Sequence, residues 1–199
     1  MTAGTYSRDH IADVLTKVKL PSCYRIIPRR LLDTPLGAAP ADSRFCSKAH
    51  GHAVLYTTPD FATAFIEVIV RDRFTRKRQR EILLKEVTER AWIQAATKPR
   101  SALNLLDLRN DGCVRLGAPT DAVNARSHAA GRSLSRIIHD EHKNVDGFLF
   151  ASRLTGADIY AVFDRAIDKL DVEDSGDLVN HPELPDVLRH HKISLIVHE

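Results

Sequence analysis

The chain has 199 residues, 43% hydrophobic and 28% charged, with a formal net charge of +3. That length suits one domain whose core needs neither disulfides nor structural metal, and the composition is that of a soluble globular protein. Three cysteines at wide spacings, with no CxxC pair, argue against a disulfide frame or a zinc site and for a reducing compartment.

The opening run MTAGTYSRDHIADVL lacks the apolar stretch of a signal peptide. No segment approaches the ~18 consecutive apolar residues of a membrane span, so the sequence reads as cytoplasmic. Residues 71–80, RDRFTRKRQR, hold six Lys/Arg against one Asp, and the rest of the chain sums to −2. The basicity is therefore local, whereas a nucleic-acid binder usually spreads positive charge over a face.

In SRDHIADVLTKVKL, Ile11, Val14, Leu15 and Val18 recur at helical spacing and predict a first helix. SCYRII reads as a short strand stopped by Pro28. Residues 33–51 are rich in Pro, Gly, Ala and Ser and predict a long loop. HAVLYTT is a strand of β-formers. Thr58 as N-cap with Pro59 in the first helical position then predicts a helix. EILLKEV, RAWIQAA and ALNLLDL read as strands, although the first also fits a helix.

A helix from about Ser127 to His142 follows, with Leu134, Ile137 and Ile138 on its buried side. GFLFAS and IYAVFD read as two strands joined by the tight turn RLTGAD, and ELPDVLRHH and KISLIVHE as a closing helix and strand. The elements predict an α+β fold with a mixed sheet flanked by helices, in a single domain over 1–199.

Within LYTTPDFATAFIEVIV, Phe61, Phe65, Val68 and Ile69 form one apolar stripe and Glu67 points away from it. Glu67 either sits on a solvated helix face or faces a cleft beside the preceding strand and loop; composition alone does not choose. Other polar clusters carry less. In HDEH, His139 and His142 lack a further ligand set and the HExxH spacing, HGH and RHH are loose clusters, and nothing marks Cys113 as an activated thiol. Neither GxGxxG nor GxxxxGK[ST] occurs.

Arg25 in CYRII, Arg44 in DSRF, Tyr56 in VLYTT, Glu67 in FIEV and Ser152 in FLFASR form an ordered set. This set resembles the RES domain family, named for its Arg, Glu and Ser, over roughly residues 22–165. An N-terminal helix and a C-terminal helix–strand extension flank the matching region.

The resemblance implies a compact ADP-ribosyltransferase-like fold that consumes NAD as substrate, with no cofactor and no metal. It also implies a toxin partnered by a helical Xre-type antitoxin. Nucleic acid would be reached only through that antitoxin, and no membrane is involved. A single carboxylate suits the chemistry: nicotinamide departs neutral, and the oxocarbenium-like charge on the ribose is what needs stabilising.

On this reading Glu67 is catalytic, together with Arg25 and Tyr56, which also bind the substrate. Arg25 and Arg44 would anchor the pyrophosphate or nicotinamide ribose through paired guanidinium hydrogen bonds. Tyr56 would stack on nicotinamide and offer its hydroxyl. Ser152 would bond the ligand or cap the turn after its strand, and Ser127 would help bind phosphate near a helix start. The acceptor could be water, inorganic phosphate or a protein side chain, the last giving a mono-ADP-ribosyltransferase. A different class of reading is a non-enzymatic protein that docks nucleic acid or an acidic partner through residues 71–80.

Overall fold

The computed structural model describes residues 6–197. In chain order it contains α1 (Arg8–Val14), β1 (Leu15–Val18), β2 (Cys23–Pro28), β3 (Val54–Thr57) and α2 (Phe61–Phe65), which runs into a π-helical turn (Ile66–Val70). Then come β4 (Glu81–Leu83), α3 (Leu84–Thr88), β5 (Arg90–Thr97), β6 (Leu103–Asp107), α4 (Gly112–Leu116), α5 (Asp121–Asn124) and α6 (Ala129–Glu141). β7 (Gly147–Ala151), β8 (Asp158–Phe163), β9 (Leu170–Asp177), α7 (Leu184–His190) and β10 (Ser194–Ile196) complete the order. The last two residues of KISLIVHE, His198 and Glu199, lie outside the described residues. Among the described residues no helix is long and apolar enough to cross a membrane.

One mixed sheet has the order β1-β6-β7-β8-β3, with only the β6–β7 pair parallel. A second, antiparallel sheet has the order β2-β5-β9, and β4 pairs with β10 in a short parallel ribbon. The two larger sheets are stitched together where Tyr24 of β2 and Thr58, just past β3, exchange backbone hydrogen bonds of 2.7 and 3.0 Å. This stitch brings CYRII and VLYTT, far apart in sequence, side by side.

Several boundaries differ from the sequence expectation. The first helix ends at Val14, because Leu15–Val18 pairs antiparallel with β6; sheet pairing overrides the helical periodicity there. α2 starts two residues late. Its N-cap is Asp60, whose carboxylate accepts the Thr63 N–H at 2.6 Å, while Thr58 donates its hydroxyl to the Asp158 carbonyl instead. EILLKEV divides into a strand and a helix. In α6, Ile137 is only half-buried, and Gly131 and Ser135 share the inner face with Leu134 and Ile138.

The apolar stripe of α2 is also redrawn. Arg71 N–H bonds the Ile66 carbonyl five residues back at 2.7 Å, so the turn is wider than an α-helix. Phe61, Phe65, Ile66, Ile69 and Val70 are buried together with Ile82, Val87 and Leu178, while Val68 is only half-buried, next to Glu67. Burial of each large side chain contributes about 1.5–3 kcal/mol, which holds the turn in place.

Candidate functional site

A cleft of about 540 Å³ opens beside the stitch between the two sheets. β2 contributes Tyr24 and Arg25, β3 contributes Tyr56, the long loop Arg44, and the π-helical turn Glu67 and Val68. Arg25, Arg44, Tyr56 and Glu67 thus line one cavity, although 42 residues separate the first from the last. Ser152 does not line it but bonds Glu67 from behind. Ser127 is exposed, and its hydroxyl accepts only the Ala129 N–H at 3.4 Å; its neighbours Arg126 and His128 line the cleft instead.

The Ser152 hydroxyl accepts the N–H groups of Leu154 and Thr155, both at 3.1 Å, and donates to Glu67 Oε1 at 2.6 Å. With its lone pairs engaged by two amides, the hydroxyl proton is left for Glu67. One oxygen of the carboxylate is fixed in this way, and among the described residues no donor engages Oε2. Of the two roles weighed for Ser152, the turn cap is the one seen; in place of a bond to a ligand, its hydroxyl orients Glu67. The turn itself depends on Gly156, at φ +78°, where a side chain would be strained. Thr155 ties the turn back to α2 through its hydroxyl, 3.0 Å from that of Thr63.

Arg25 is a shielded cation with few partners. Nη2 donates to the Gly37 carbonyl at 3.4 Å, and Nη1 is buried without a hydrogen-bond partner. Burial lowers the guanidinium pKa to about 10. A guanidinium that lines the cleft and keeps a spare donor favours an anion there. Arg44 donates to the carbonyls of Ala122 and Ala125 at 3.3 and 3.1 Å. Burial lowers its pKa too, with Tyr56 and Glu67 acting in the opposite direction.

The Tyr56 hydroxyl is already occupied: it accepts the Phe45 N–H and pairs with Ser43 Oγ, both at 2.9 Å. Burial pushes its pKa up to about 12, so it stays a neutral phenol. Its hydroxyl therefore pins the segment carrying Arg44, and its half-buried ring is what remains for a ligand.

The sequence reading left out three further arginines on the lining, Arg71, Arg126 and Arg153. Asp72 holds two of them, Arg153 at 2.8 Å and Arg126 at 3.4 Å, and these contacts keep its own carboxyl below the usual range. Arg71 sits at φ +46° and ψ −131°, a strained conformation for a residue with a Cβ. Burial, reinforced by Arg44, Arg132, Arg71 and Arg153, holds His128 below the ordinary imidazole value and hence neutral near pH 7. The lining carries five arginines against Glu67 and Asp72, a charge balance that favours an anionic ligand.

The remaining reactive groups lie elsewhere. Cys23, Cys46 and Cys113 are buried free thiols, and burial raises Cys113 and pushes Cys23 to about 12. That disfavours a thiolate nucleophile. His139 of HDEH stacks on the buried His52 of HGH, at 4.3 Å between centroids.

Comparison with known proteins agrees with the ordered set of residues. The RES domain family model matches residues 22–185. Over 86 residues the chain is 42% identical to "Probable toxin y4kH" of Sinorhizobium fredii (strain NBRC 101917 / NGR234), covering 43% of this chain and 68% of that protein. A chain in the crystal structure of the M. tuberculosis MbcT–MbcA toxin–antitoxin complex superposes with a TM-score of 0.63 at 14% identity, covering 93% of this chain and 99% of that one. The shared fold is the expected α+β arrangement, a mixed sheet flanked by helices. The match over most of its length makes this chain a member of the RES domain family.

Proposed function

We propose that the chain is a cytoplasmic toxin that consumes NAD by breaking its nicotinamide–ribose bond, and that an antitoxin restrains it. The observation that carries this reading is that Arg25, with one shielded guanidinium nitrogen left without a partner, lines the same cleft as Glu67, a carboxylate oriented by Ser152. Arg25 and Arg44 match the charge of a pyrophosphate. Glu67 faces the ribose. As the bond from C1′ to the nicotinamide nitrogen breaks, its electron pair leaves with the ring, which departs neutral. The positive charge left on the sugar is stabilised by Glu67, whose fixed position needs no reorganisation during the reaction. An oxygen of the acceptor, either water or inorganic phosphate, then bonds C1′ and releases its proton to solvent. Transfer to a protein side chain would follow the same path. Val68 and the apolar packing behind the π-helical turn limit water around the carboxylate and strengthen its field.

The partner follows from the activity, since an NAD-draining enzyme harms its host unless blocked. The cationic lining favours an acidic or carboxylate-ended antitoxin segment in the cleft. The test is incubation of the purified chain with NAD, with and without inorganic phosphate, followed by identification of the products. Release of nicotinamide with ADP-ribose or its phosphorylated form is expected, and no loss of NAD under any of these conditions overturns the reading.

A further inference from the structure

The loop that carries Arg44 has no helix or strand between residues 33 and 53. A segment of that length inside a compact fold needs something outside itself to fix its path. The α6 helix supplies it with a polar face. At Gly131 the Arg44 backbone passes so closely that a Cβ there would lie 2.6 Å from the Arg44 carbonyl oxygen and 3.1 Å from its Cγ. Arg132 donates from Nε to the Ser43 carbonyl at 2.9 Å, with a second nitrogen 3.7 Å from Asp42. One turn on, Ser135 Oγ lies 3.1 Å from His52 Nε2, which also contacts the Phe45 carbonyl at 3.3 Å. A further turn on, His139 stacks on His52.

Positions 131, 135 and 139 recur every four residues and so share one helical face. Glycine inside a helix weakens it relative to alanine, so Gly131 needs a reason, and the carbonyls of Arg44 and Ala122, 2.6 and 2.8 Å from where a Cβ would lie, provide one. From the other side the Tyr56 hydroxyl takes the Phe45 N–H. The tripeptide Ser43-Arg44-Phe45 is thus held on both flanks.

We propose that α6 is the template that sets Arg44 in the cleft, with Gly131 and Arg132 as positioning residues for anion binding there. The functional half of this inference rests on Arg44 being a ligand anchor. The mechanical half stands on the packing alone.

The test uses Gly131→Ala, Arg132→Ala and Arg132→Lys, read by amide hydrogen exchange and by steady-state kinetics with NAD. Gly131→Ala and Arg132→Ala should speed exchange at residues 43–46 roughly tenfold, the scale of one lost hydrogen bond, while the core amides of α6 stay protected. The same variants should raise KM for NAD about tenfold with kcat nearly unchanged, because binding rather than the chemical step is disturbed. Arg132→Lys, which keeps one donor, should recover most of both effects. In an Arg44→Ala background, Arg132→Ala should add nothing further to KM.

Unchanged exchange in both Gly131→Ala and Arg132→Ala overturns the template. Faster exchange with unchanged KM, when Arg44→Ala alone raises KM, overturns the link to the cleft. If Arg44→Ala itself leaves KM unchanged, the anchor reading fails and the functional half falls with it, while exchange still decides the mechanical half.

Discussion

Replacing Arg25 with methionine should make the ligand-free protein more stable and a poorer NAD binder. The structure gives the magnitude. Arg25 has one shielded nitrogen without a partner, one long hydrogen bond of 3.4 Å, and a pKa lowered by burial to about 10. At about 1.4 kcal/mol per unit, the shift caps the cost of holding the charge at about 3.5 kcal/mol. The side chain lines an open cleft and is only half-buried overall, so solvent screening reduces the cost to about 1–2 kcal/mol. The sign follows from proton linkage. Above pH 10 the unfolded chain, with its higher guanidinium pKa, binds more protons at this site than the folded one, so the penalty is relieved only as the pH rises past 10 and is fully present at neutral pH.

Methionine keeps the apolar stem and removes the charge. For a chain of this size about 1–2 kcal/mol corresponds to roughly 2–8 °C in Tm. NAD binding, measured by calorimetry in a Glu67→Gln background where turnover should be at least a hundredfold slower, should weaken at least tenfold, since a charge-assisted hydrogen bond to the ligand would be lost. A lower Tm with unchanged NAD affinity would refute the reasoning and make Arg25 a structural residue.

Ser152→Ala removes the acceptor for two amides and the donor to Glu67, so it should cost about 2–4 kcal/mol in thermal unfolding and slow nicotinamide release at least tenfold; a variant matching wild type in both contradicts the assignment. Tyr56→Phe keeps the ring but frees the Phe45 N–H, so KM for NAD should rise while kcat holds, and a collapse of kcat would mean that the hydroxyl acts on the reacting sugar. Arg76, Lys77 and Arg78 are exposed and form no ion pair among the described residues. Reversing all three to glutamate should leave NAD turnover intact yet slow antitoxin association and flatten its dependence on salt; an unchanged association rate would exclude the basic segment from the encounter.

The sequence displayed most of the strands and the residues of β2, β3 and α2 that converge on the cleft, because each lies in a short block with its own apolar pattern. What joined them was their order along the chain, since periodicity alone left Glu67 undecided between solvent and cleft. The extra residue of the π-helical turn is invisible in FATAFIEVIV, and without it Val68 reads as core. β9 was missed because LDVEDSGD is a polar edge strand whose residues are mostly exposed, so no alternation marks it. Arg71, Arg126 and Arg153 come from three separate turns, and only tertiary folding gathers them. Ser127 sits one residue from two cleft-lining side chains, within the boundary error of any helix start.

The most direct measurement of the central claim is the rate of nicotinamide release from NAD by wild type and by Glu67→Gln, with NAD binding measured in both. The substitution keeps the shape of the side chain and its contact with Ser152 while deleting the charge proposed to face the sugar. Loss of one preorganised electrostatic group costs roughly a hundredfold or more in rate, so Glu67→Gln should still bind NAD yet release nicotinamide at least a hundredfold more slowly. Release at the wild-type rate would contradict the account.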